Sequence, residues 1–368
     1  MGIPEKIKQI EDEIHITKVN KATEHHLGIL KAKLAKLRRE QETATTRGGG
    51  SSLGYDIKRS GDATVVIIGL PSVGKSTLLN KLTNAKSKVG TYQFTTRTVV
   101  PGIMEYKGAR IQILDLPGII KDASTGKGMG RRVLSVARNA DVIVFVLDVF
   151  QPEATEILRK ELRAVGIRPD ERPANVTIEK TATGGVAVHQ AVKLTKINER
   201  LAREILNVYG IHNARVSFRE DVSDDQLIDV LLGTRVYPRS MTIINKIDLV
   251  DASFLRDVKK RIGRGFVAIS AEANANLEAV KQAISEKLDF IRVYMRPRGS
   301  ETDYKEPLIM KRGSSVLDVC NKIHRNLKNE FRYAQVWGKS AKFGGQRVGL
   351  DYRLLDEDVL TFVSRVFN

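Results

Sequence analysis

Eight residues, Gly69-Leu70-Pro71-Ser72-Val73-Gly74-Lys75-Ser76, fit the pattern G-x-x-x-x-G-K-[ST] at every fixed position. Residues of these types at this spacing can hold a chain of phosphates. Glycine lets the backbone wrap an anion with its N–H groups, and a helix that opens at the same place adds a favourable dipole. Lys75 supplies a compact positive charge and Ser76 an oxygen ligand for Mg2+. Pro71, Ser72 and Val73 form the body of the loop, and Thr77 begins the helix behind it. The flanks suit that chemistry: a β-branched run from Thr64 to Ile68 leads in, and the helical pattern TLLNKL leads out.

A second constellation chooses the base. Asn245-Lys246-Ile247-Asp248 closes the apolar run MTIIN. A carboxylate at Asp248 can accept two parallel hydrogen bonds from the N1–H and 2-amino group of guanine, and adenine offers neither donor there. At roughly 1.5–3 kcal/mol for each charge-assisted bond, the pair favours GTP over ATP by about a hundredfold or more. A short strand, FVAISA (266–271), follows, and the backbone N–H groups of Ser270 and Ala271 are the expected donors to guanine O6. An ATPase rests on the phosphate loop alone and conflicts with Asp248.

These groups need elements to position them. VIVFVLDV (142–149) reads as another buried strand, and a helix follows Pro152. Asp115 and Asn245 stand 130 positions apart. Two helices, two strands and short loops need roughly 60 residues, so about 70 are extra. The surplus falls near 166–238, beginning at GIRPDERP. Within it the sequence predicts a glycine-split hairpin over NVTIEKTATGGVAVHQAV, a helix from Thr195 to Tyr209, the strand ARVSFRE, and a helix opened by the capping box Ser223-Asp224-Asp225-Gln226. Its order, ββαβα, suggests an inserted α+β subdomain.

Residues 1–45 read as two helices broken near Asn20, the second with Leu27, Leu30, Leu34 and Leu37 on one stripe and Lys33, Lys36 and Arg39 off it. An antiparallel hairpin docked on the nucleotide-binding domain or on a partner is expected. His15, His25 and His26 have no metal-ligand companions in sequence and read as surface residues, and TTRGGGSSLG (45–54) reads as a flexible linker. The expected division is 1–60, 61–165 with 239–290, 166–238, and 291–368.

The chain carries 61 Lys+Arg against 43 Asp+Glu, a net charge of +18. The excess is spread as +4, +8 and +6 over residues 1–60, 61–290 and 291–368, which favours a polyanionic partner, ribosome or RNA, met over a wide surface. Cys320 is the only cysteine, which excludes an internal disulfide and any Cys-rich zinc site. No apolar run approaches membrane-spanning length and no signal peptide opens the chain, so a cytoplasmic protein with no membrane role is expected.

Gly69–Ser76, Asp115-Leu116-Pro117-Gly118, Asn245–Asp248 and Ser270-Ala271 together resemble the motifs of translation-factor-like GTPases, and YQFTTRTVVPG (92–102) resembles the first switch of the Obg branch. The resemblance implies that Thr96, with Thr95 as the alternative, closes over Mg2+ and the γ-phosphate. It implies that Asp115 holds the metal through a water and that the Gly118 amide senses the γ-phosphate. Where a water-orienting glutamine is expected, this chain has Ile119, which has no donor or acceptor. GTPases with that substitution rely on a monovalent cation, a dimer partner or a ribosomal component. Ser72 stands where several potassium-dependent relatives carry asparagine, which weakens the case for K+ and leaves switch carbonyls as its alternative ligands. Gly126, Gly128 and Gly130 read as a mobile second switch, with Lys127, Arg131 and Arg132 either solvated or set against a polyanion.

From about Phe290, strand-rich ends around the helical pattern SSVLDVCNKIHRNL resemble the TGS module, with FRYAQVWGKSAKFGGQRVGLDYRLLDEDVL a close match to the form it takes in one GTPase family. Trp337 and Tyr333 could stack on RNA bases, with core packing the favoured reading. Over nearly its whole length the chain resembles the developmentally regulated GTP-binding (DRG) family of archaea and eukaryotes. That resemblance implies an α/β P-loop GTPase domain with an N-terminal helical hairpin, an inserted α+β subdomain and a C-terminal β-grasp (TGS) domain. It also implies GTP and GDP as ligands, association with translating ribosomes and, in eukaryotic members, a zinc-finger protein partner, while Ile119 adds the expectation of slow intrinsic hydrolysis.

Overall fold

The computed structural model describes residues 2–20, 22–47, 60–83, 92–94, 97–116, 136–263, 265–297, 299–324 and 326–364. The chain divides into two compact units, residues 56–161 with 238–368, and residues 1–55 with 162–237.

The first unit is built on a seven-stranded sheet. In chain order its strands are β1 (Ala63–Ile68), β2 (Tyr92–Phe94), β3 (Arg97–Tyr106), β4 (Ala109–Asp115), β5 (Val142–Asp148), β9 (Arg239–Asn245) and β10 (Phe266–Ala268), the numbers 6–8 falling to strands of the other unit. Their spatial order is β10-β9-β5-β1-β4-β3-β2. The five strands from β10 to β4 run parallel, and β3 and β2 are antiparallel additions at one side. All six residues of β1 are buried, as a parallel strand covered on both faces requires. The helices α3 (Lys75–Leu82) and α8 (Leu277–Leu288) cover one face, where Leu78, Leu79, Leu82, Val280 and Ile284 meet Val65, Ile67, Ile113 and Val144. Between β5 and β9 runs α4 (Ala154–Ala164), and between β9 and β10 runs α7 (Ala252–Ile262), capped by Asp251, whose carboxylate accepts from Phe254 N.

The same unit carries a five-stranded sheet in the order β12-β11-β15-β13-β14, from β11 (Phe290–Met295), β12 (Leu308–Lys311), β13 (Phe331–Trp337), β14 (Gln346–Val348) and β15 (Asp358–Ser364). Its inner face packs Val293, Ala334, Val336 and Leu360 against Val316, Val319 and Cys320 of α9 (Val316–Ile323). The short α10 (Leu327–Glu330) leads into β13. Ile309 of β12 enters the core of the large sheet, Lys311 pairs with Asp141 at 3.2 Å and Lys322 with Asp62 at 3.1 Å.

In the second unit, α1 (Ile3–Ile16) and α2 (Glu24–Arg47) form the expected pair of helices, with Asn20 Oδ1 accepting from the backbone of Ala22 and Thr23 at the break. The insertion contributes β6 (Val176–Lys180), β7 (Val186–Gln190), α5 (Glu199–Val208), β8 (Ala214–Phe218) and α6 (Asp224–Leu232), in the expected ββαβα order. Three details differ from expectation. There is no hairpin: β8 lies between β6 and β7, antiparallel to one and parallel to the other. The reason is in side-chain demand, since Ala214, Val216 and Phe218 of β8 are wholly buried while β6 and β7 keep partly exposed faces suited to edges. The helix expected from Thr195 begins at Glu199, because Asn198 takes the N-cap and its side chain accepts from Leu201 N. And α2 packs on α5 and α6 of the insertion, through Ala32, the Lys31 pairs with Asp224 and Asp225, and a Gly28–Leu201 approach too close for a Cβ. The capping box is as read: Ser223 Oγ accepts from Gln226 N and Gln226 Oε1 from Ser223 N.

His25 is also more than a surface residue. Its Nε2 lies 3.2 Å from Glu204, and its buried Nδ1 has no partner among the described residues. His26 meets Glu13 at 2.9 Å. Residues 45–47 of the expected linker belong to α2, and 48–54 lie outside the described residues. At the foot of the insertion, Arg168 is bidentate to Asp229 at 2.7 and 2.9 Å, and Arg235 adds a third bond at 2.7 Å. Removing one partner of so buried a pair leaves an uncompensated charge, so the triad ties the two ends of the insertion together beside the Ile167–Val236 bridge.

Candidate nucleotide-binding site

The strand-to-helix loop after β1 has a geometry that only certain residues permit. A Cβ on Gly69 would stand 2.3 Å from the carbonyl oxygen of Val146, and Gly74 has φ +90°. A Cβ on Gly74 would also fall 2.4 Å from Asn245 Nδ2. Ser72 adopts φ +63°, a left-handed conformation that is uncommon for a side-chain-bearing residue. Pro71 and Ser72 are exposed, Val73 is buried, and Thr77 is half-buried in the first turn of α3.

Lys75 is 8% exposed. Its ammonium donates to the carbonyls of Gly69 (3.1 Å) and Leu70 (2.8 Å), so the charge is held inside the loop, over its mouth. Burial lowers its pKa and the nearby Asp115 carboxylate opposes that shift. Ser76 Oγ donates to Asp115 Oδ2 at 2.7 Å, although the two residues are 39 apart in sequence. The register of β1 with β4 sets Ile67 beside Asp115 and so brings the pair together. Asp115 Oδ1 is buried and has no partner among the described residues. A hydroxyl and a carboxylate with one unused, buried oxygen form a donor set that suits a hard dication such as Mg2+.

Asn245 joins the two motifs. Its Nδ2 donates to Val73 O in the phosphate loop (2.8 Å), and its Oδ1 accepts from Ala271 N (2.9 Å). One buried amide therefore fixes three loops whose residues lie up to about 200 positions apart in the sequence. Asp248, in the turn Ile247–Leu249, is exposed and has no protein partner among the described residues, so its carboxylate is free for a ligand. The expected Ser270 and Ala271 donors are already engaged: Ser270 N donates to Ala275 O (3.3 Å) and Ala271 N to Asn245. Reading guanine O6 here requires Ala271 to exchange its bond or passes to the next amide, that of Glu272.

Sequence reasoning missed Asp148. Lys246 takes the left-handed φ of +66°, and its ammonium meets Asp148 Oδ2 at 2.7 Å, while Asp148 Oδ1 accepts from Phe150 N. The signal was available, since a carboxylate ending the VIVFVLDV run must lie at the same sheet edge as Asn245, its partner in the β5–β9 register. Thr95, Thr96, Gly118 and Ile119 lie outside the described residues, as do the glycines and basic residues of 126–132. Among the described residues, no helix is long and apolar enough to cross a membrane.

Known proteins resemble this chain over its whole length. A family described as 50S ribosome-binding GTPase matches residues 64–180, the C-terminal region of the same domain matches 183–290, and the TGS domain matches 291–364. A GTP-binding protein of Methanocaldococcus jannaschii is 53% identical over 99% of this chain and 94% of its own. Developmentally-regulated GTP-binding protein 2 of Homo sapiens is 44% identical over 99% of this chain and all of its own. Developmentally-regulated G-protein 3 of Arabidopsis thaliana is 44% identical over 99% of both.

Proposed function

We propose, for a chain that belongs to the developmentally regulated GTP-binding protein family, a slow GTP-hydrolysing switch that works on the ribosome in the cytoplasm. The observation that carries this reading is Asn245, whose single amide couples the phosphate loop to the base-reading loop and so makes one site of the two motifs. Asp248 reads the guanine edge and Lys246 covers the base. The loop amides and Lys75 hold the β- and γ-phosphates, with Lys75 exchanging its two carbonyl partners for phosphate oxygens. Ser76, Thr96 and, through a water, Asp115 hold Mg2+, which when bound neutralises charge on the phosphates. Gly118 senses the γ-phosphate. Ile119 cannot orient water, so K+ or a ribosomal component supplies that function. The domains are residues 1–60, 61–165 with 239–290, 166–238 and 291–368.

Asp248→Asn tests the base assignment. GTP affinity should fall by about a hundredfold as two charge-assisted bonds are lost, and affinity for xanthosine triphosphate should rise. Unchanged GTP binding would show that another group reads the base. A second reading, a GTP-regulated RNA-binding scaffold with incidental hydrolysis, rests on Ile119. Ribosome binding by Ser76→Asn that ignores the nucleotide would favour it.

A further inference from the structure

Tyr333 and Trp337 do not pack in the core of the C-terminal domain. The registers place Tyr333, Gln335 and Trp337 of β13 on the outer face of the sheet, with Gln335 directly opposite Arg347 of β14, while Ala334 and Val336 fill the core on the other side. Each ring carries a guanidinium: Arg347 lies over Tyr333 at 4.8 Å and Arg296 over Trp337 at 5.1 Å. Arg296 is set in place by its own backbone, which donates to Leu360 O and accepts from Thr361 Oγ1, and by its Nε, which donates to Ser300 O. Gly344 and Gly345 lie against the Trp337 ring, which is half-buried. Arg296 and Arg347 are exposed, and neither forms an ion pair among the described residues. The side chain of Gln335 has no hydrogen-bond partner among them, and Phe343, in the adjoining loop, is 66% exposed.

We propose that this outer face binds an unpaired stretch of RNA, with Arg296 and Arg347 as stacking planes for two bases and Gln335 bonding a base edge between them. Tyr333 and Trp337 are four residues apart, about 14 Å along the strand. RNA-binding sheets likewise stack two or three splayed bases on one face. A guanidinium stacked on an aromatic ring can offer its other flat side to a second π-system. An acidic peptide would instead take guanidinium edges in the plane, where carboxylates bind in bidentate fashion. Bases in a duplex are stacked already and do not present their faces, which restricts the ligand to unpaired RNA. The +6 charge of residues 291–368 complements its phosphates. This surface does not depend on the guanine-nucleotide reading.

The test is fluorescence anisotropy of the full-length protein with a labelled, unstructured mixed-sequence oligoribonucleotide. Arg296→Ala and Arg347→Ala should each weaken binding by about tenfold, the scale of one lost stack. Arg296→Lys and Arg347→Lys should lose nearly as much, because lysine keeps the charge and lacks the plane. GTP hydrolysis by these variants should equal that of the parent, whatever the nucleotide-site tests return. The proposal is overturned if the lysine variants bind like the parent, if a duplex of the same sequence binds as tightly, if no binding occurs, or if a polyglutamate peptide displaces the RNA at equal concentration. The last result would make the face a site for an acidic protein segment.

Discussion

The two sheets of the larger unit put their chemistry in different places. In the seven-stranded sheet β1 is buried at every position and β5 at all but its last, so no face is left for a ligand. Everything that can bind, from Gly69 to Asp248, therefore stands in the loops beyond the strand ends, as is general for parallel sheets covered on both sides. In the C-terminal sheet β13 alternates, Ala334 and Val336 buried and Tyr333, Gln335 and Trp337 half-buried. With one helical layer over one face, β13 and β14 carry side chains outward on the other, while Val359, Thr361 and Val363 of the neighbouring β15 are buried there. One sheet offers a rim and the other a surface. A rim of backbone amides suits a small anion, and a surface of planes suits a long, flat polymer.

The sharpest way to break this contrast is to remove the chemistry of the rim without touching the sheet. Lys75→Ala should cut single-turnover GTP hydrolysis by about 10²–10³, the usual loss when one preorganised charge-stabilising donor is removed. The melting temperature should be unchanged or higher, because a buried ammonium is removed. Loss of folding instead of hydrolysis would place Lys75 in the structure and not in the chemistry.

The contrast itself can be measured with neighbouring substitutions in urea melts. Val65→Ala and Val66→Ala in β1 should each cost about 2 kcal/mol, since both side chains are fully buried on opposite faces. In β13 the parity should appear: Val336→Ala should cost about 2 kcal/mol and Gln335→Ala less than about 0.5. Equal costs at 335 and 336 would mean that the outer face is covered. On nucleotide binding a smaller effect than at Lys75 is expected from Asp148→Asn, where loss of the Lys246 ion pair should raise the KM for GTP by about fivefold, about 1 kcal/mol, with kcat retained. A fall in kcat alone would assign Asp148 to the phosphate end.

Much of this was legible because the motifs carry their own context. Gly69–Ser76 between a β-branched run and a helical one, and Asn245–Asp248 at the end of an apolar run, can each be placed without coordinates. What sequence did not yield depends on pairings across long separations. Asp148 gains a role only when β5 is set beside β9, and Ser76 meets Asp115 only through the β1–β4 register. The hairpin expected in the insertion failed for the same reason, because β8 competes for the position between β6 and β7 with the more apolar inner face. Tyr333 and Trp337 looked like core residues by type, and only the parity of β13 against Ala334 and Val336 turns them outward. Helix docking was equally hidden, since the leucine stripe of α2 does not say which surface will cover it.

The most direct measurement is single-turnover GTP hydrolysis in K+ buffer, with and without ribosomes from the protein's own source, and repeated in Na+. A marked acceleration by ribosomes is the expected result, and it would assign to the ribosome the water-positioning function that Ile119 lacks. The same slow rate in all four conditions would contradict a ribosome-coupled switch and leave a nucleotide-binding scaffold in its place.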